Sequence, residues 1–212
     1  MIHTLVGPEN FRKGIDLYFQ RHDGNVCLAY LMELDDAELR RLCVKQLQQA
    51  DNMTDALASL TALANCDCPE RKPALEQFYT KWQGEPLVVD KWLGVEAMSR
   101  LPGTLARVKE LTSHPAFTLK NPNKVYALLS SFCGNQVNFH AVDGSGYTFM
   151  AEQILALDPI NPQVAARTAR NFERWKRFEP KRRALMKAAL EQIAADHRLS
   201  KETAEVVTKA LT

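Results

Sequence analysis

Apolar residues recur along this chain at intervals of three and four, the spacing that lines one face of an α-helix. In "DDAELRRLCVKQLQQA", Leu39, Leu42, Cys43 and Leu47 form such a stripe. Asp35 stands where an N-cap belongs, with Glu38 three residues on, a capping-box pattern. "ENFRKGIDLYFQRH" gathers Phe11, Ile15, Leu17 and Tyr18 near one face, with Pro8 suited to a first helical turn. Further helices are expected over "TDALASLTALANC", "ERKPALEQFYTKW", "EPLVVDKWLGVEAMSR" and "TLARVKELTSH". Asn121-Pro122 and Asn161-Pro162 each pair a capping side chain with a proline at the first helical position. They open "NPNKVYALLSSFC" and "NPQVAARTARNFERWKRF", and Ser200 caps the final helix. "PLVVDKW" is the best strand candidate, but helix formers flank it and no hairpin signal accompanies it. The expected class is all-α: about a dozen helices of roughly 10–17 residues, paired antiparallel in a HEAT- or armadillo-like superhelix.

Composition narrows the classes of function. The 212 residues are 46% hydrophobic and 25% charged with a formal charge of +2, the balance of a folded globular chain. That charge gives no general electrostatic attraction to nucleic acid or membranes. No apolar run reaches the roughly 18 residues of a membrane span, and "MIHTLVGPENFRKGIDLYF" has no secretory pattern. Five cysteines at unpatterned positions suit free thiols in a reducing compartment, so a cytoplasmic location is expected.

Candidate chemistry concentrates in "NFHAVDGSGYTFM", residues 138–150. His140, Asp143 and Ser145 are the residue types of a hydrolytic triad, yet triad members ordinarily come from separate elements. Ser145 also lacks the preceding glycine of a nucleophile elbow. The preferred reading is a turn in which Asp143-Gly144 reverses the chain and Ser145 or Gly146 starts the next helix. None of the five histidines stands in H-E-x-x-H, and Cys66-x-Cys68 is tighter than a C-x-x-C ligand pair, so no metal site is expected. The Arg167–Lys187 segment is the most basic, with Phe172 and Trp175 interleaved. Single-stranded nucleic acid is one reading; a solvated face of snorkelling side chains is preferred.

Several stretches carry a family resemblance. "ADNMTDALASLTAL", "LVVDKW", "FTLKNPNKVYALLSSF", "FHAVDGSGYTFMAEQILALDPINPQVAAR" and "KRRALMKAALEQI" resemble, in order, the C-terminal domain of the bacterial aminopeptidase N group of M1 zinc metallopeptidases. The resemblance runs from about Asn25 to the end. It implies a C-terminal α-helical repeat domain over 25–212 that covers a catalytic domain and shapes substrate access. Residues 1–24 resemble a helix pair late in that family's catalytic domain, a remnant joined directly to the helical domain.

The resemblance also sets expectations about chemistry. The family's zinc helix and its G-x-M-E-N loop have no counterpart here; "GPEN" at Gly7–Asn10 lacks the methionine-glutamate pair. Without zinc there is no activated water, so the chain is expected to be no enzyme on its own and to hold no cofactor, zinc belonging to the parent family. The resemblance assigns Gln163 to the pocket for the substrate's N-terminal side chain and Arg167 to bound peptide. In the isolated chain the plainer reading, two exposed polar residues, is preferred. Expected partners are an M1 catalytic domain or a second copy, with peptide substrate only in the full enzyme. The alternative is an independent α-solenoid module binding peptide or nucleic acid.

Overall fold

A computed structural model describes residues 24–34 and 36–212. The expected helix with Pro8, Phe11, Ile15 and Tyr18, and the remnant up to Asp23, lie outside the described residues, as does the Asp35 cap. The described residues are helical with turns between, and none of them lies in a strand. The chain divides into two compact units, Met1–Lys81 and Trp82–Thr212.

In the first unit, α1 (Gly24–Met32), α2 (Ala37–Gln49) and α3 (Met53–Ala64) pack on one another, and α4 (Arg71–Trp82) ends at the unit boundary. The cap of α2 is Asp36, whose carboxylate accepts the amides of Glu38 and Leu39 at 2.8 and 3.3 Å. Of the expected α2 stripe, Leu39 and Cys43 are buried, Leu47 is half-buried and Leu42 is exposed. On α3, Ser59, Leu60, Leu63 and Ala64 are fully enclosed, at the three- and four-residue spacing of one helix face. Asn25 ties the three helices together: its amide donates to Asp55 at 2.7 Å and accepts from Gln46 at 2.8 Å.

The second unit opens with α5 (Pro86–Met98), the segment that held the strand candidate. Val89, Trp92, Leu93, Glu96 and Ala97 are buried, a helical stripe that overrides local β-propensity. Glu96 sits in that stripe as a carboxylate, matched by the Arg107 guanidinium at 2.8 Å from α6 (Thr104–Thr112). Against α5 also runs a continuous helical stretch. It comprises α7 (Pro122–Val125), a π-helical segment (Tyr126–Ser130) and α8 (Ser131–Gly134). Val125, Leu128, Leu129 and Phe132 are its fully buried face. Asn121 caps it with Pro122 at the first position, as the Asn-Pro pattern predicts.

The remaining helices are α9 (Ser145–Leu157), α10 (Pro162–Ala169), α11 (Pro180–Ala194) and α12 (Lys201–Leu211). They pack as α9 with α10 and α11, and α12 with α10 and α11. Buried Asp158, just after α9, accepts from the Ser200 amide at 2.7 Å, the Ser200 hydroxyl at 2.6 Å and the Thr203 hydroxyl at 2.5 Å. It thereby fixes the start of α12.

The long helix expected from Pro162 through Phe178 stops at Ala169. Two 3₁₀ turns follow, Arg170–Phe172 and Trp175–Arg177. Tighter winding puts residues three apart on the same side, and Phe172 and Trp175 are both buried. The Trp175 indole donates to the Ala210 carbonyl at 2.8 Å. Tertiary burial of two aromatics has overridden helix continuation.

Candidate functional site

The 138–150 stretch is a bend in which the side chains of His140, Asp143, Ser145 and Tyr147 pair with one another, while Asn138 donates to the Ser99 carbonyl at 3.1 Å. His140 Nδ1 pairs with the Tyr147 hydroxyl at 2.8 Å, and its ring stacks on Phe178 at 4.4 Å. The His140 carbonyl accepts from Arg182 Nε at 2.6 Å. Burial, then the Arg182 charge, holds the imidazole below its ordinary pKa, while burial pushes the Tyr147 phenol up to about 12. Asp143 accepts from both the amide and the hydroxyl of Ser145, at 3.0 and 2.8 Å. That closes a local turn at the N-terminus of α9. The histidine is turned to Tyr147 and the aspartate to Ser145, so the three do not form a relay.

Two glycines make this bend. Gly144 has φ +76°, the left-handed region that glycine enters without penalty. At Gly146 a Cβ would sit 2.5 Å from the Phe139 carbonyl oxygen, so the backbone segments approach only because no side chain intervenes.

The other residues singled out in the sequence are on α10. Its inner side buries Val164, Ala165, Ala166, Thr168 and Ala169. Asn161 caps it by accepting the Val164 amide at 3.1 Å. Gln163 and Arg167, one turn apart, are both exposed on the other side. The Arg167 guanidinium carbon lies 5.0 Å from the centroid of the Tyr126 ring. Tyr126 is half-buried and opens the π-helical segment. The structure thus brings Arg167 to an aromatic residue that sequence reasoning had passed over. The only available signal was that Tyr126 falls outside the Val125, Leu128, Leu129, Phe132 stripe.

In the basic segment, Phe172 and Trp175 are buried while Arg170, Arg174, Lys176 and Arg177 are exposed. The aromatics are therefore not available for stacking on bases. Arg170 is near Glu173 and Lys187 near Glu191, at 3.9 and 3.0 Å.

Zinc of the metallopeptidase kind needs three converging protein donors. Among the described residues no group of three His, Cys, Asp or Glu side chains could hold a metal. His114 is engaged elsewhere, its Nδ1 accepting the Ala116 amide at 3.1 Å. The donors among the described residues do not fit that ion. Cys27, Cys43, Cys66, Cys68 and Cys133 are not joined in disulfides, and burial raises the Cys43 and Cys68 thiols to about 12. No described helix is long and apolar enough to cross a membrane.

Known proteins are similar to this chain in sequence and fold. The chain is 40% identical to aminopeptidase N of Escherichia coli (strain K12) over 188 residues, 88% of this chain and 22% of that protein. Against aminopeptidase N of Caulobacter vibrioides the identity is 39% with the same coverage. The crystal structure of Legionella pneumophila aminopeptidase A in complex with aspartic acid superimposes with a TM-score of 0.84 at 36% identity. It too matches 88% of this chain and 22% of its own. The chain therefore spans about a fifth of the length of the relatives it matches, and corresponds to their C-terminal helical domain. Over residues 8–212 it matches the family model DUF3458_C, a domain of unknown function described as ARM repeats. The chain belongs to that all-α family of ARM-repeat domains.

Proposed function

We propose that this chain serves as the non-catalytic C-terminal domain of an aminopeptidase N-type M1 metallopeptidase. In that role it covers the active site of a catalytic domain and shapes the access of peptides to it. The observation that carries this reading is identity of 38–40% to aminopeptidase N over 88% of the chain, confined to about a fifth of those enzymes. Hydrolysis of the N-terminal peptide bond, and the zinc that activates water for it, belong in this reading to the catalytic domain. Residues 25–212 form the helical domain, and 1–24 a remnant of the catalytic domain.

The substrate-facing residues in this proposal are Gln163 and Arg167. A side-chain amide and a guanidinium one turn apart on an exposed face can donate to a peptide carbonyl or carboxylate. The partner is an M1 catalytic domain, with self-association as the substitute when none is present. Free thiols support a cytoplasmic setting.

The test has two arms. The purified chain, assayed on an aminoacyl-arylamide alongside its zinc content, should show neither turnover nor stoichiometric zinc. Replacing the matching segment of Escherichia coli aminopeptidase N with residues 25–212 should give a chimera that retains arylamide turnover. Zinc-dependent turnover by the chain alone overturns the non-catalytic reading. A folded chimera that binds zinc but admits no substrate overturns the access role.

A further inference from the structure

The guanidinium of Arg167 is exposed and, among the described residues, has no carboxylate partner. It lies over the Tyr126 ring, whose centroid is 5.0 Å from the guanidinium carbon. An exposed arginine ordinarily samples many rotamers, so a fixed aromatic surface beneath it restricts where its donors point.

The backbone that carries Tyr126 is held in place. The Tyr126 carbonyl accepts the Ser131 amide across the π turn, and the Ser131 hydroxyl at 3.4 Å. The two residues before it are buried. Of these, Lys124 is ion-paired with Asp90 at 2.7 Å and donates to the Pro86 carbonyl at 3.2 Å. A π-helical segment is an irregularity that a plain α-helix would avoid, and such segments concentrate at functional sites. Here it begins at the residue that meets Arg167.

We infer that Tyr126 is a positioning residue: its ring holds the Arg167 guanidinium so that Arg167 and Gln163 together receive the planar carboxylate of a short peptide. This rests on the reading of Gln163 and Arg167 as substrate-facing. The chemistry favours a carboxylate. A guanidinium over a ring is attracted through the ring's π face, and its N–H donors stay unspent for an acceptor in the guanidinium plane. A carboxylate offers two oxygens to that fork, and the Gln163 amide can add a further donor.

The experiment is NMR on the 212-residue chain with alanylalanine as probe and alanylalanine amide as control. The Arg167 Nε–Hε resonance is assigned by its loss in Arg167→Lys. Without ligand it should show an upfield ring-current shift in the wild type and in Tyr126→Phe, which keeps the ring, and lose it in Tyr126→Leu. Alanylalanine should bind saturably and more tightly than its amide. Tyr126→Leu should weaken binding about two- to five-fold, the range of an exposed cation–π contact, whereas Tyr126→Phe stays within about two-fold of wild type.

Absence of the upfield shift in the wild type overturns the positioning role without needing any variant to fold. So does wild-type binding matched by Tyr126→Leu. A wild type that shows the shift but binds no alanylalanine supports the Tyr126 geometry and overturns carboxylate capture by this chain without a catalytic domain opposite it. Equal affinity for acid and amide overturns the carboxylate preference.

Discussion

Two regions of the second unit carry polar side chains of chemical interest and use them in opposite ways. In the bend at 138–150, His140, Asp143, Ser145 and Tyr147 each have a partner inside the bend. On the outer side of α10, Gln163 and Arg167 are exposed, and among the described residues the Arg167 guanidinium has only the Tyr126 ring beneath it. Residue type alone points to the first region; what the side chains have left to donate points to the second. A hydroxyl, imidazole or carboxylate already hydrogen-bonded within its own turn is part of the fold's polar accounting, whereas an unspent guanidinium is free for a ligand.

If that contrast is correct, substitutions in the bend should damage folding and those on α10 should not. The largest effect is expected from Gly146→Ala. The added Cβ would meet the Phe139 carbonyl oxygen at 2.5 Å, the Phe139 Cα at 2.9 Å and the Asn138 carbonyl oxygen at 3.0 Å. All three are backbone atoms and cannot rotate away, so a loss of about 3 kcal/mol is expected in urea unfolding. Gly144→Ala should cost less, roughly 1 kcal/mol, from its positive φ and a crowded but movable Leu185 side chain. A Gly146→Ala protein as stable as wild type would mean the bend tolerates separation of its strands of backbone. It would then be a looser structure than the contacts describe.

Next in size is Tyr147→Phe. Tyr147 is fully buried, and its hydroxyl is the partner of His140 Nδ1 at 2.8 Å. Removing the hydroxyl leaves a largely buried ring nitrogen unpaired, at a cost of about 1–2 kcal/mol. An unchanged urea midpoint would show that His140 finds another partner.

The same pair predicts how stability follows pH. Burial and the nearby Arg182 charge lower the His140 pKa in the folded state. Because the unfolded chain binds the proton more readily, the contribution is fully present above about pH 6.5, the unfolded histidine value. It declines as pH falls below that value toward the lower folded pKa. His114 is also lowered, by burial and then by Arg107, and acts in the same direction. His140→Asn should therefore reduce, without abolishing, the fall in urea midpoint between pH 7 and pH 5. An undiminished fall would place the proton uptake elsewhere.

The sequence foretold some of these features and was silent on others for identifiable reasons. Caps at Asn121, Asn161 and Ser200 were legible because a capping side chain acts on amides two or three residues away. The start of α9 at Ser145 was legible through the Asp-Gly turn for the same local reason. Leu42, expected in the α2 stripe, is 42% exposed because a periodic pattern marks an apolar face without saying how wide a neighbour covers it. The end of α10 at Ala169 depends on Trp175 reaching the Ala210 carbonyl, a partner distant in sequence. Likewise the π segment and the meeting of Tyr126 with Arg167 join elements that no local pattern connects. The candidate pair on α10 came from family resemblance, and its aromatic neighbour from the structure alone.

The smallest expected effects are on α10, and they sharpen the contrast most. Gln163→Ala should leave the urea midpoint within about 0.5 kcal/mol of wild type, as for an exposed side chain away from packing. Arg167→Ala removes an exposed cation–π contact and should cost about 0.5–1 kcal/mol at most. Both substitutions should nevertheless weaken alanylalanine binding, because the donors lost are those the ligand would use. Stability and binding then respond to opposite regions: Gly146 and Tyr147 govern folding, Gln163 and Arg167 govern the ligand. If Arg167→Ala instead destabilised the chain by as much as Tyr147→Phe, Arg167 would be spent on the fold like the bend residues. The distinction between the two regions would then fail at the residue on which it depends most.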